Sequence, residues 1–406
     1  MGNRQYDVIL WGATGFTGRL VAEYLNKQYG GSSDLKWAMA GRNKEKLATI
    51  RKEIGNEEIP LIVADSKDRA SLDKMVQQTK VICTTVGPYA KYGSELVAAC
   101  VENGVDYCDL TGESQWIRKM IDQHHEAAKA KGVKIVHCCG FDSIPSDIGV
   151  HFLQKEAKAQ KGEYCNHIKL RVKVMKGGMS GGTYASMDNL MAESAADPSL
   201  MKMLQNPYCL NPTGEQSGKD VQDITEVVFD EDMDAYISPF VMAGINTRIV
   251  RRSHALQGYP YGKDFRYEEA TLVGTSFSKR FTARLTNSVV SKVISGGPDS
   301  FLKKMADRYL PKPGEGPTKE QREKGFFNII LLGKFANGDT VSAKVKGDRD
   351  PGYGSTSKML GEAAVCLAKD TLSDVSGVIT PAVAMGDALL QRLHTKSGVT
   401  FELAEI

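Results

Sequence analysis

The chain has 406 residues, with 52 Lys and Arg against 49 Asp and Glu, a net charge of +3. With 41% hydrophobic and 25% charged residues it reads as an ordinary globular protein of two or three domains, neither disordered nor collagen-like. The near-neutral balance argues against a dedicated nucleic-acid binder. Glycine is the outlier: 40 residues, about a tenth of the chain against a usual level of about 7%.

The first 150 residues alternate apolar runs with helical patterns, which predicts a doubly wound parallel sheet. Val8-Ile9-Leu10-Trp11 is the first strand, and Leu20, Val21, Tyr24 and Leu25 follow at helical spacing. Further strands are expected at Leu35–Ala40, Ile59–Ala64, Val81–Val86, Tyr107–Leu110 and Val133–Cys139. Helices are expected at Leu72–Gln77, Leu96–Asn103 and Ile117–Lys131, with one on the Leu47, Ile50 and Ile54 face.

After residue 150 the pattern changes. Ile168, Leu170, Val172 and Val174 alternate with Lys169, Arg171 and Lys173, a strand with one wet face. Asn206–Asp223 reads as a loop, Pro298 and Pro311–Pro317 as breaks around a helical piece at Phe301–Tyr309. Phe326–Phe335, the Asn337-Gly338 turn, and Val341, Ala343 and Val345 predict an antiparallel hairpin. Met359, Ala363 and Leu367, then Met385, Leu389 and Leu393, mark two tail helices. The expected division is 1–150 (Rossmann type, α/β), 151–355 (α+β with a mixed or antiparallel sheet, for substrate and dimerisation) and 356–406 (a helical tail, able to return to the first domain).

Gly12-Ala13-Thr14-Gly15-Phe16-Thr17-Gly18 lies between a strand and a helix, where a dinucleotide turn belongs. Gly12 permits the tight turn, Gly15 the approach of backbone N–H groups to a pyrophosphate, and Gly18 close helix–strand contact. The helix start adds partial positive charge. The second strand ends Ala40-Gly41-Arg42-Asn43, with no acid for a ribose 2′-OH. Arg42 can instead pair with a 2′-phosphate, so NADP is the expected cofactor. Asp65 and Ser66 end the third strand, beside the expected adenine. Thr85, Val86 and Gly87 end the fourth, towards the nicotinamide half, since ligands gather at strand carboxyl ends.

Hydride transfer needs positioning and a group that takes up developing charge. Tyr89 either donates a proton or packs a tight turn. Asp142, past the sixth strand, either serves as an acid or caps the helix beginning near Ile144; Ser143 shares that ambiguity. Tyr92 is a weaker candidate. Gly177–Thr183 forms either a pocket wall or a connector. His137 reads as a core residue, and His124 and His125 as a solvated helix face. The sequence contains no zinc spacing, HExxH or nucleophile elbow, so no metal is expected. The eight Cys form no CxxC pair, which suggests a reducing, cytoplasmic setting. No run approaches the roughly 18 apolar residues of a membrane helix.

Several stretches resemble the saccharopine dehydrogenase-like oxidoreductases: Val86-Gly87-Pro88-Tyr89, Tyr92-Gly93, Tyr107–Glu113, Gly140–Asp147, Ser180–Thr183, Asp350–Gly354 and Gly377–Ala382. Within that family the chain looks most like the trans-acting enoyl reductase branch, associated with lipid and glycolipid synthesis. The resemblance implies a Rossmann domain, a second α+β domain and hydride chemistry with a nicotinamide cofactor; an NADP-dependent oxidoreductase acting on a lipidic or acyl (enoyl) substrate is the expected function. A non-catalytic nucleotide-binding scaffold and an amino-acid dehydrogenase remain alternatives. Some animal members are linked to lipid surfaces and carry a long apolar segment. Here Arg284, Lys292, Pro298, Asp299 and Lys303 interrupt it, so no transmembrane segment is expected, only peripheral lipid contact. A homodimer built on the second domain is expected.

Overall fold

The computed structural model describes residues 4–30, 34–177, 181–220, 222–295 and 315–405. The expected helix at Phe301–Tyr309, the break at Pro298 and residues 178–180 of the glycine-rich stretch lie outside them. The chain divides into two compact units, residues 1–144 with 351–399, and residues 145–350 with 400–406.

The first unit is built on a seven-stranded parallel sheet. Its strands are β1 (Tyr6–Trp11), β2 (Trp37–Gly41), β3 (Leu61–Val63), β4 (Thr79–Thr84), β5 (Asp106–Cys108), β6 (Lys134–Val136) and, from the tail, Gly377–Ile379. The order is β3-β2-β1-β4-β5-β6 followed by the tail strand. All pairs run parallel. Every residue of β1 and β2 is buried, as befits strands covered on both faces. The order reverses between β1 and β4, so the switch point opens at the carboxyl end of β1.

The tail belongs to this unit. Its Thr356–Lys369 helix is buried along most of its length. Glu362, fully buried there, accepts hydrogen bonds from Tyr24 (2.7 Å) and Tyr29 (2.8 Å) of helix α1 (Phe16–Tyr29) and pairs with Arg392 at 3.2 Å. Gly361 is required by contact, because a Cβ there would lie 2.8 Å from the Tyr24 ring. His125 is not on a solvated face. Its Nδ1 accepts from the Val378 N–H at 3.2 Å, tying the helix Ser114–Ala130 to the tail strand.

The second unit carries the remaining strands: β7 (His167–Lys176), β8 (Val228–Asp230), β9 (Ala235–Ser238), β10 (Arg266–Gly274), β11 (Phe326–Lys334), β12 (Thr340–Gly347) and, after the tail strand β13, β14 (Val399–Leu403). The sheet order is β14-β12-β11-β7-β10-β9-β8, a mixed sheet in which β7 and β10 pair parallel while β7–β11, β11–β12, β9–β10 and β8–β9 pair antiparallel. The hairpin β11–β12 forms as expected, with Gly338 at φ 92° in its turn.

The wet face expected of β7 is only partly wet. Arg171 is fully buried, donating from Nε to Asp230 at 2.7 Å and pairing with Glu268. Lys169 joins Asp230 (2.8 Å) and Asp232 (2.6 Å), and Lys334 joins Asp232 (2.6 Å). Opposite Asn328 and Ile329 the register slips, leaving Lys173 unmatched. Beyond that bulge Val174 and Met175 are exposed, because a bulge ends the alternation of faces. The Asn206–Asp223 loop is held by buried arginines of the helix Ala243–Leu256. Arg251 binds Asp220 (2.8 Å), and Arg248 binds Asp223.

Candidate functional site

The glycine turn sits at the switch point. Gly12 has φ 90°, a conformation that favours glycine, and a Cβ on it would lie 2.6 Å from Val86 Cγ2. A Cβ on Gly18 would run into the Gly12 carbonyl. Gly12 and Ala13 donate to the Ala40 carbonyl at 3.0 and 3.3 Å, which fastens the turn to β2, and Ala13 is buried. Gly15 is the N-cap of α1, is exposed, and lends no side chain to the helix start; no acid occupies the first turn. The first-turn N–H groups of a helix have no intrahelical acceptors. This is a cradle for an anion, and Thr14, Phe16 and Thr17, each half-buried, border it. The residues therefore fit a dinucleotide.

Arg42, exposed at the end of β2, has no hydrogen bond or ion pair among the described residues. Asn43 has a structural duty: its Oδ1 accepts from Lys46 N–H at 2.8 Å, capping α2 (Lys44–Ile54). Asp65 accepts from the Lys67 N–H (2.9 Å), and its own N–H donates to Ser71 (2.9 Å). Ser66 follows in the same half-buried turn. At the end of β4, Thr85 donates from Oγ1 to the Gly12 carbonyl at 3.3 Å, and Val86 N–H donates to Thr84 Oγ1 at 3.2 Å. Thr85 and Val86 are thus brought to the glycine turn, and Gly87 follows them against the Tyr89 ring.

Tyr89 is placed differently from a proton donor. It is 4% exposed, its hydroxyl donates to the Thr84 carbonyl at 3.2 Å, and its ring stacks on Trp116 at 5.5 Å. Burial raises its pKa well above the usual value. Of the two alternatives, the geometry matches packing of the turn. Glu113, 3% exposed, receives the N–H groups of Tyr89 and Ala90, each at 2.9 Å, and so fastens the turn after β4.

Asp142 lies past β6 and is half-buried. Burial pushes its carboxyl up to about 7, its own N–H pulls the other way, and the Asp109 charge adds to the rise. It has no ion-pair partner among the described residues. The loop around it is unusual: Cys138 and Ser143 have φ 64° and 88°, positive values held by neighbours. Asp109, fully buried, is one of those neighbours. It accepts from Tyr107 Oη (2.9 Å), Thr111 N–H (3.0 Å), Cys138 N–H (3.2 Å) and His137 Nδ1–H (2.7 Å). His137 is thus a core residue with a specific duty. Asp109 and Glu113 were missed as positioning residues. The available signal was two acids placed immediately after a short apolar strand.

The turn Pro351–Ser355 brings separate motifs together. The Tyr353 ring meets Phe16 edge-on at 5.2 Å, and Thr356, just beyond, receives the Phe141 N–H at 2.9 Å. The glycine turn and the Asp142 loop thus share one neighbouring segment.

The sheet order, switch-point turn and uncapped helix define a dinucleotide-binding Rossmann unit. The model for the saccharopine dehydrogenase NADP-binding domain matches residues 8–136. A relative from Mycobacterium tuberculosis (strain H37Rv) is 39% identical over 425 aligned positions, covering 99% of this chain and 98% of its own. The trans-acting enoyl reductases of Mycobacterium ulcerans and Mycobacterium leprae are 37% and 36% identical, each alignment covering 96% of both chains. Saccharopine dehydrogenase (L-Glu forming) of Saccharomyces cerevisiae shares the fold at TM-score 0.54 and 12% identity, covering 98% of this chain and 99% of its own. The chain belongs to the saccharopine dehydrogenase-like oxidoreductases, in the branch of the trans-acting enoyl reductases. It is an oxidoreductase with an NADP-binding domain. None of its helices is long and apolar enough to cross a membrane among the described residues. None of the eight cysteines forms a disulfide.

Proposed function

We propose that the chain uses NADPH to reduce the carbon–carbon double bond of a lipidic enoyl substrate, with Asp142 as the proton donor. Asp142 carries the reading: it is a half-buried carboxyl, lifted to about 7 and without an ion-pair partner among the described residues, past the end of β6. When bound, the cofactor supplies a hydride. The backbone of Gly12–Gly18 holds its pyrophosphate at the start of α1. Arg42 binds the 2′-phosphate, with Asn43 beside it. Asp65 and Ser66 border the adenosine, and Thr85, Val86 and Gly87 border the nicotinamide. Tyr89, locked by Glu113, holds the turn after β4 in place. Asp142, protonated in a large fraction of molecules at and below about pH 7, delivers its proton as charge develops on the substrate. The names of the mycobacterial relatives support the enoyl class.

The same reading includes a cytoplasmic homodimer in peripheral contact with lipid. The edge strand β8 exposes Val228 and Phe229. The helix Phe277–Ser295 exposes Phe277, Phe281 and Leu285 at four-residue spacing and contains Lys279, Arg280, Arg284 and Lys292 with no acid. Vesicle flotation and sedimentation check these two points.

The test is NADPH oxidation against trans-2-enoyl thioesters and, separately, amino and keto acids. Turnover confined to the thioesters supports the reading. Tight NADPH binding without turnover of any substrate supports a scaffold and overturns it.

A further inference from the structure

The segment that leaves β6 links two carboxyl groups of the first unit. Asp109, in the loop after β5, holds its near end. The Asp109 side chain accepts from the Cys138 N–H at 3.2 Å, and its carbonyl accepts from the Cys139 N–H at 2.7 Å. Asp142 follows at the far end of the same segment. Burial raises the Cys138 thiol well above its usual pKa, and the charges of Asp109 and Asp142 raise it further. Both carboxyls therefore lie near that sulfur.

Their surroundings differ. Asp109 is fully buried and accepts from the Tyr107 hydroxyl, the Thr111 and Cys138 N–H groups and His137 Nδ1–H. Donors aimed at a carboxylate favour its charged form. No lysine or arginine pairs with Asp109 among the described residues. His137 donates without cancelling the charge, because its Nε2 is buried and a second ring proton there would have no acceptor. Asp142 receives only its own N–H and has no ion-pair partner among the described residues. Two neighbouring carboxyls without a cation resist ionising together, and the one with more donors takes the charge. The other ionisable groups nearby have separate duties. Glu113 receives the Tyr89 and Ala90 N–H groups, Tyr89 donates to the Thr84 carbonyl, and the Cys138 thiol donates to the Thr111 carbonyl at 2.9 Å. From the tail, Tyr353 packs on Phe16, and Lys358, half-buried, forms no ion pair with Asp142.

We propose that Asp109 is a positioning residue of the reduction, whose fixed negative charge keeps the proton on Asp142, so that one carboxyl is the resident anion and the other the acid. This rests on the reading of Asp142 as the proton donor. When Asp142 passes its proton to the substrate, the pair is left with two negative charges. That state favours the return of a proton from water to Asp142, which restores the acid for the next turnover.

The test uses the full chain, isotope-labelled at the aspartate carboxyl carbons. Infrared titration follows the protonated-carboxyl band in the parent, in Asp109→Asn and in Asp142→Asn. The parent is expected to show a component with its midpoint at about 7, absent from Asp142→Asn. In Asp109→Asn that midpoint falls by about one unit or more. Asp106, which burial raises to about 6, titrates in all three and serves as the reference. The alkaline limb of enoyl thioester reduction moves with the midpoint in Asp109→Asn, whereas a role confined to holding the loop would slow the reaction without moving the limb. A midpoint and limb unmoved in Asp109→Asn overturn the proposal. A component at about 7 that persists in Asp142→Asn puts the proton on Asp109 and also overturns it, and this result stands if Asp109→Asn does not fold. A chain that titrates as expected yet reduces no enoyl thioester overturns the proposed function while supporting the division of charge.

Discussion

The two units differ in the charges they leave unmatched. In the first, burial along β1 and β2 is apolar except at Asp7, which pairs with Lys80, and Glu362 is matched by Arg392, but two ionisable residues at strand ends, Arg42 and Asp142, have no ion-pair partner among the described residues. In the second, the buried charges are matched: Arg171 with Asp230 and Glu268, Arg251 with Asp220, Arg248 with Asp223. A charge held in place by a partner supports the fold. A charge positioned at a strand end without one is available for a ligand. Both sets look alike in sequence, and only placement separates them.

The largest effect expected from this contrast is on catalysis. Asp142→Asn should lower kcat by about 100-fold or more while leaving the melting temperature close to that of the parent. Loss of activity together with a collapsed melting temperature would erase the distinction between the units. Next, Asp230→Ala leaves Arg171 buried with only Glu268, and should cost about 3–5 kcal/mol in denaturant unfolding with the KM for NADPH unchanged.

The same cluster gives a pH signature. Hydrogen bonds from Lys169 and Lys334 hold Asp232 down to about 2, and Asp230 is also lowered. A lowered folded pKa contributes stability that is present above the unfolded value, near 4, and is lost as pH falls through the folded one. Acid unfolding curves should therefore steepen between about pH 4 and 2, and this steepening should shrink in Lys334→Gln. The smallest effect is at Arg42. Arg42→Ala should weaken NADPH binding about tenfold or more with little change for NADH, read by fluorescence titration. Equal losses for both would remove Arg42 from the 2′-phosphate.

The contrast also explains what the sequence made legible. The parallel sheet was readable because its strands are continuous apolar runs and its glycine turn has a fixed place between strand and helix. The tail strand Gly377–Ile379 was not identified as a strand, since three residues carry no periodicity and its partner β6 is some 240 positions away. In the second unit the hairpin β11–β12 was legible from its Asn337-Gly338 turn, but β8, β9 and β10 were not. Their pairings join segments distant in sequence, as does the contact of Arg171 with Asp230. At the site, Arg42 and Asp142 were recognisable from their positions after strands. Asp109 and Glu113 were not, because their duties are hydrogen bonds to backbone N–H groups that only the folded loops bring within reach.

The most direct test is the pH profile of NADPH oxidation with a trans-2-enoyl thioester, compared between the parent and Asp142→Asn. A carboxyl raised to about 7 holds its proton below that pH and loses it above. Activity of the parent should therefore fall as pH rises through about 7, and Asp142→Asn should be slow at every pH and lack that limb. A variant as fast as the parent, with the limb intact, would contradict the assignment of Asp142 as the proton donor.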